Sequence, residues 1–106
     1  MPKYLFHGSY TAAGVKGLLK DGGTGRRAAA QQLAQSVGGK IESFYYAFGT
    51  DDFYLIADMP DHESAAAVSL TVAASGAISL NTIVLMTPEQ VDGAAKKTVQ
   101  YRPPGA

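Results

Sequence analysis

An α+β fold built on one four-stranded antiparallel sheet is predicted by three features of this 106-residue sequence. Four segments alternate apolar and polar residues, two long segments carry apolar residues at helical spacing, and a tight turn joins the second and third strands. The elements therefore follow the order β-α-β-β-α-β, with a short helix after the last strand. Two interlocked strand–helix–strand units give the ferredoxin-like arrangement, with both long helices on one face and the first and third strands at the centre.

The first strand is predicted over residues 3–10, whose more aromatic even-numbered positions are expected to face the core. Thr11 is a suitable N-cap for the following helix, and Gly22-Gly23 is expected to break that helix. A second helical segment is predicted over residues 26–37, where apolar residues recur at the i, i+3, i+4 and i+7 positions of one face.

The hairpin that follows contains the most strand-like stretch of the chain. Residues 40–48 and 52–59 alternate in hydrophobicity, and Gly49 to Asp52 between them are typical turn residues. Asp61 is then expected to cap a second helix over residues 62–74.

The C-terminal part begins with a fourth strand, predicted over residues 78–86. Residues 87–90 (TPEQ) are a typical capped helix start, and the helix is predicted to last to about residue 97. Residues 98–106 contain two prolines and are predicted to form an extended tail. No linker or repeat interrupts the chain, so residues 1–106 are predicted to be a single domain.

The composition excludes several classes of function. Nine basic residues balance nine acidic ones, so neither nucleic acid nor an anionic membrane is an expected partner. The absence of cysteine removes disulfides, thiolate catalysis and cysteine metal sites. The first residues lack the apolar run of a signal peptide, and no stretch approaches the roughly 20 apolar residues of a membrane span. A cytoplasmic protein is therefore expected.

The face of the sheet away from the helices is expected to be apolar and uncovered. Its candidate residues, subject to strand register, are Leu5, His7, Ile41, Tyr45, Tyr54, Ile56, Ile83 and Leu85. Because monomers rarely expose an apolar patch of that size, a homodimer or higher homo-oligomer is predicted. The C-terminal tail is expected either to wrap a neighbouring subunit through Tyr101, to lie on its own sheet edge, or to be disordered.

Four stretches of the chain together resemble the GYD-domain proteins, which are small bacterial proteins: PKYLFHGSYT, GVKGLLKDGG followed by RRAA, FYYAFGTDDFYLIADMPD and VQYRPPG. The resemblance covers nearly the whole chain, and the family takes its name from a Gly-Tyr-Asp motif in the hairpin turn. Gly49 and Asp52 match that motif, whereas Asp51 occupies the aromatic position. Any role of the family tyrosine therefore does not carry over to this chain.

The resemblance implies a ferredoxin-like fold of the dimeric α/β-barrel type, but no particular activity. Related dimeric barrels include cofactor-free monooxygenases, isomerases and haem proteins, which is an analogy at the level of fold only. The cofactor, if there is one, is left unknown.

His7, near the middle of the first strand, is the strongest candidate for a catalytic residue. An imidazole can act as a general base near neutral pH, and Tyr45, Tyr54 and Asp52 of the hairpin are expected to be within its reach. Such a site can enolise a ketone or deprotonate a phenol. Gly8 beside it indicates that either a helix backbone or a ligand packs closely there, and in a pocket it is expected to leave room for the ligand. The alternative for His7 is a hydrogen-bonded position at a subunit interface.

The glycine-rich stretch from Gly22 to Arg27 opens a helix. Its free amides, together with Arg26 and Arg27, are candidates for binding a phosphate or carboxylate, although the spacing fits neither a P-loop nor a dinucleotide fingerprint. A kink between two helical segments, with solvated arginines, is the alternative.

No metal site is predicted. The acidic and histidine residues at 61–63 are consecutive and therefore point in different directions, and Asp51 and Asp52 are expected to cap backbone amides. The serines have no neighbouring base, so no hydrolase triad is predicted either.

The sequence as a whole predicts a small homo-oligomeric module for ligand binding or assembly. One alternative is a cofactor-free monooxygenase or isomerase that acts on a small aromatic or ketone substrate, with His7 as acid and base. Another is a sensor of a phosphorylated metabolite that uses Arg26 and Arg27.

Overall fold

The computed structural model describes all 106 residues and has the α+β, ferredoxin-like fold that the sequence predicts. The elements are β1 (Lys3–Tyr10), α1 (Ala12–Ser36), β2 (Lys40–Tyr46), β3 (Phe53–Asp58), α2 (His62–Ala74), β4 (Ile78–Leu85) and α3 (Pro88–Ala95). The strands form one antiparallel sheet in the order β2-β3-β1-β4, so the first and third strands are central. None of the helices combines the length and hydropathy needed to cross a bilayer.

The hairpin turn is longer than predicted. β2 ends at Tyr46 rather than residue 48, and β3 begins at Phe53 rather than residue 52. The reason is that the turn bonds to β1: the backbone N–H of Asp52 donates to the carbonyl oxygen of Gly8 at 2.7 Å. The carbonyl oxygen of Asp52 still accepts the N–H of Ala47 at 2.8 Å, so Asp52 connects the end of the hairpin to β1. β4 ends one residue earlier than predicted, at Leu85. α3 ends two residues earlier than predicted, at Ala95.

All three predicted helix caps are present. Thr11 caps α1, and the Asp61 carboxylate accepts the N–H of Ser64 at 2.7 Å at the start of α2. Hydrogen bonds from the side chain and from the backbone of Ser64 lower the pKa of Asp61, because they stabilise the charged carboxylate. α3 begins with a complete capping box between Thr87 and Gln90.

α1 is interrupted at Gly22, where a kink joins two helical segments, so the break predicted at Gly22-Gly23 is present. Gly22 has φ 77° and ψ 163°, a conformation that glycine adopts without steric cost. The hydroxyl of Tyr46 donates to the carbonyl oxygen of Gly23 at 3.0 Å, which fastens the kink to β2. The core residues of α1, including Leu33 and Ala34, come from the segment after the kink.

The hydrophobic core lies between the sheet and the two long helices. Tyr4 and Phe6 of β1 are buried at its centre, so the even-numbered side of β1 faces the helices as predicted. Ile41 also packs against this core, which corrects its expected place on the uncovered face. A register irregularity between Ile41 and Ser43 explains the difference, because a bulge turns the following side chains to the opposite face.

Gly8 allows β1 and β4 to approach closely. A Cβ atom at this position would lie 1.9 Å from the backbone carbonyl oxygen of Ser79. The space beside Gly8 is therefore filled by the backbone of β4. The close packing predicted at Gly8 is present, but the neighbour is the backbone of strand β4, and neither a helix backbone nor room for a ligand lies there.

The C-terminal segment stands away from the rest of the domain. Every residue from Pro88 to Ala106 is exposed, and Tyr101 is 74% exposed. The tail therefore does not lie on its own sheet. Its docking on a neighbouring subunit stays a prediction.

Candidate functional site

The face of the sheet opposite the helices, called here the open face, is uncovered and largely apolar. Ile83, Leu5 and Ile56 form a row across β4, β1 and β3. Tyr54 and Tyr45 are cross-strand partners beside that row, and Tyr45 is 72% exposed. A continuous apolar surface therefore crosses all four strands.

Charged groups at one end of the open face are gathered around Lys3. The ammonium of Lys3 lies 3.0 Å from a carboxylate oxygen of Asp58 and 3.3 Å from one of Glu42. Hydrogen bonds to these two carboxylates raise the pKa of Lys3. One cation faces two carboxylates, so this group keeps one negative charge in excess at the end of the apolar surface.

His7 is held on the open face by two neighbours. Its Nδ1–H donates to Oδ2 of Asp51 at 2.5 Å, and its ring stacks on Tyr54 with 5.7 Å between centroids and 8° between planes. The side chains of His7 and Asp51 are 19% and 18% exposed. Because Nδ1 is engaged, Nε2 is the nitrogen that remains available to a substrate. Tyr45 lies one strand further away, opposite Tyr54.

The carboxylate that reaches His7 belongs to Asp51, whereas the sequence analysis expected Asp52. Oδ2 of Asp52 accepts the backbone N–H of Tyr10 at 2.9 Å, and so caps the end of β1 as a turn aspartate does. Two adjacent aspartates in a turn do not reveal which one points at the sheet. The available signal was that Asp51 fills the aromatic position of the Gly-Tyr-Asp motif.

A second candidate site is a cavity of about 100 Å³ between the sheet and the helices. Seventeen residues line it, and 16 of them are hydrophobic, among them Phe6, Leu33 and Val68. Arg26 is the charged residue among them. The cavity therefore combines a long apolar wall with one positive charge.

Tyr10 and Arg26 line the polar end of this cavity, and Tyr46 adjoins Tyr10. Burial raises the pKa of Tyr10 to about 12; the adjacent hydroxyl of Tyr46 also raises it, and the guanidinium of Arg26 acts in the opposite direction. The Tyr10 phenol is therefore neutral at physiological pH and can donate a hydrogen bond. Sequence reasoning missed both tyrosines, which were assigned only to the strands.

The two arginines of the glycine-rich stretch are separated in the structure. Nη1 of Arg26 lies 3.5 Å from Oδ2 of Asp21, which is longer than a normal hydrogen bond of about 2.7–3.2 Å. Arg27 is exposed and lines no part of the cavity. Only Arg26 is therefore placed to meet a ligand inside the fold.

The second histidine, His62, has a structural contact. Its Nδ1 is hydrogen-bonded to the hydroxyl of Tyr4, and the two rings meet edge to face with 5.8 Å between centroids. Burial raises the pKa of the Tyr4 phenol. No three histidine, aspartate or glutamate side chains are grouped as ligands for a metal ion.

Comparison with known proteins gives one match. The model of the GYD domain family matches residues 4–95, which include all four strands and all three helices apart from the first residue of β1. Neither a curated protein nor a solved structure matches this chain.

Proposed function

Since this chain belongs to the GYD domain family, a grouping that defines no ligand, we propose from its structure that it is a homo-oligomeric protein that binds a small apolar molecule. The cavity between sheet and helices carries the proposal. Its volume of about 100 Å³ approaches that of an engineered apolar cavity of about 150 Å³ that takes up benzene. An apolar lining with few polar groups is the usual composition of a small-molecule site.

The oligomeric part of the proposal depends on the open face. Only 12 of 106 residues are buried in the single chain, and large apolar side chains such as Ile83 and Tyr45 remain in contact with water. A second copy packed on the same face would bury these residues on both subunits at once.

Filling the cavity is expected to weaken binding of an apolar probe. Ala30 lines the cavity, and Ala30→Leu places an isopropyl group inside it. Displacing about two methylene groups of a ligand costs about 1.6 kcal/mol, so affinity for ω-trifluoropentanol is expected to fall at least about tenfold. A ¹⁹F NMR titration measures the change.

The matched control for this experiment is Ala28→Leu, because Ala28 is exposed on the same helix and lines no part of the cavity. It is expected to bind the probe as the wild type does. Equal losses in both variants, or no binding by the wild type, would rule out the cavity as the binding site.

A second candidate function, acid–base catalysis without a cofactor, is favoured by the contact between His7 and Asp51. A carboxylate bonded to Nδ1 fixes the orientation of the ring and leaves Nε2 as the proton acceptor. In this scheme Nε2 removes the α-proton of a small ketone to give the enolate, and the protonated ring then returns a proton. Return to the same carbon exchanges the proton with solvent, and return to the far carbon of an unsaturated ketone shifts its double bond. Neither outcome needs an oxidant.

If His7 is the acid–base catalyst, we expect His7→Gln to slow proton exchange at a ketone while leaving assembly intact. General acid–base catalysis contributes about 10²–10⁴-fold, so deuterium uptake by acetophenone in D₂O is expected to slow at least about 100-fold. NMR follows the exchange, and His62→Gln, at the other histidine of the chain, is the control. Unchanged exchange combined with loss of the oligomer would instead assign His7 to the subunit interface.

A further inference from the structure

We propose that the cavity recognises a small carboxylate, with its carbon chain in the apolar slot and its anionic group held by Arg26 and Tyr10. This inference depends on the proposed function, because it names the class of ligand for the same cavity. It assigns a role to Tyr10, which neither the sequence nor the family match marks as functional.

Arg26 is placed at the end of an apolar stripe by helix geometry. Ala30 and Leu33 follow it at i+4 and i+7, so all three side chains lie on one face of α1 and all three line the cavity. The lining is buried at Phe6 and Ala57, and is partly exposed at Arg26. The inner part of the cavity is therefore apolar, and the charged residue lies toward solvent. A ligand with an apolar body and one charged end matches this arrangement.

The charge of Arg26 is not fully used within the chain. Its contact with Asp21 is 3.5 Å long, and its side chain is 36% exposed. A guanidinium has several donors in a planar fork that fits the two oxygens of a carboxylate. The approach of a carboxylate to Arg26 would therefore replace a loose ion pair with a closer one.

The Tyr10 phenol adds a donor beside the guanidinium. Tyr10 and Arg26 both line the cavity; burial raises the pKa of Tyr10, and the guanidinium of Arg26 acts in the opposite direction. The single proton of the Tyr46 hydroxyl is donated to the carbonyl oxygen of Gly23, so Tyr46 does not donate to the ligand. A single cation with one neutral donor suits one negative charge. A phosphate dianion is less well matched, because the second arginine, Arg27, is exposed outside the cavity.

The test compares ω-trifluoropentanoate with ω-trifluoropentanol, which share a carbon chain and differ in charge. The wild type is expected to bind the carboxylate at least about tenfold more tightly, because hydrogen bonds to charged groups contribute about 1.5–3 kcal/mol. Arg26→Met should remove this preference and retain binding of the alcohol. Arg27→Met is the matched control and should retain the preference. Asp21→Asn, which removes the competing carboxylate, should increase it.

The outcomes separate this inference from the proposed function. If both probes bind with equal affinity and Arg26→Met changes neither, the carboxylate assignment is overturned while the apolar cavity stands. If inorganic phosphate competes as strongly as the carboxylate probe, the ligand class is overturned in favour of phosphate. If neither probe binds to the wild type, the cavity is not a ligand site and both proposals fail. Circular dichroism of each variant confirms that it is folded.

Discussion

Gly8→Ala is expected to lower the free energy of unfolding by about 3 kcal/mol, at the upper end of the usual cost of overpacking. The added methyl carbon would lie 1.9 Å from the carbonyl oxygen of Ser79 and 3.1 Å from the Cα atom of Leu80. These atoms are backbone, so they can move away only if the central strand β1 separates from β4. Urea unfolding followed by circular dichroism measures the loss, at one fixed protein concentration because association also stabilises the fold.

Gly17→Ala is the control for this substitution. Gly17 lies inside α1, and no atom is within 4 Å of a Cβ built there. Alanine at such a helical position is expected to raise the free energy of unfolding by about 0.5–1 kcal/mol. If Gly8→Ala left the stability within about 0.5 kcal/mol of the wild type, the close approach of β1 and β4 would be refuted.

In the proposed oligomer, Ile83→Asp is expected to break the interface and give a monomer that remains folded. Ile83 is 45% exposed in the single chain, and it belongs to the apolar row on the open face. A buried carboxylate without a partner costs about 3 kcal/mol, and a two-fold interface would contain two of them. Self-association should therefore weaken by about 10⁴-fold, which light scattering after size exclusion detects as a change of mass.

The neighbouring residue on the same strand supplies the control. Val84 is 53% exposed but faces the helix side of the sheet, where it lines a shallow groove with Tyr4 and Leu70. Val84→Asp is expected to leave the oligomer unchanged. If both substitutions, or neither of them, dissociated the protein, the open face would not be the interface.

Local signals were sufficient to predict most of the fold. The caps at Thr11, Asp61 and Thr87 depend on residues within one helical turn, so the sequence alone identifies them. The bulge near Ile41 and the length of the hairpin turn depend on contacts between distant segments. A period-two pattern contains no information about such contacts, so the prediction erred there.

The candidate site was also predictable only where local sequence signals are sufficient. His7 and Tyr54 were identified from their alternation on adjacent strands, and the structure stacks them. The choice of Asp51 as the partner of His7 is a matter of turn geometry, which composition does not encode. The polar cluster around Arg26 requires the kink of α1, the end of β1 and β2 to meet, and no local motif predicts that meeting.

Native mass spectrometry of the freshly purified protein tests the central claim most directly, because one spectrum reports both the stoichiometry and any retained small molecule. The account predicts an oligomer whose mass exceeds that of its chains by one small molecule for each subunit. A monomer with the mass of the chain alone would contradict both the assembly through the open face and the ligand in the cavity.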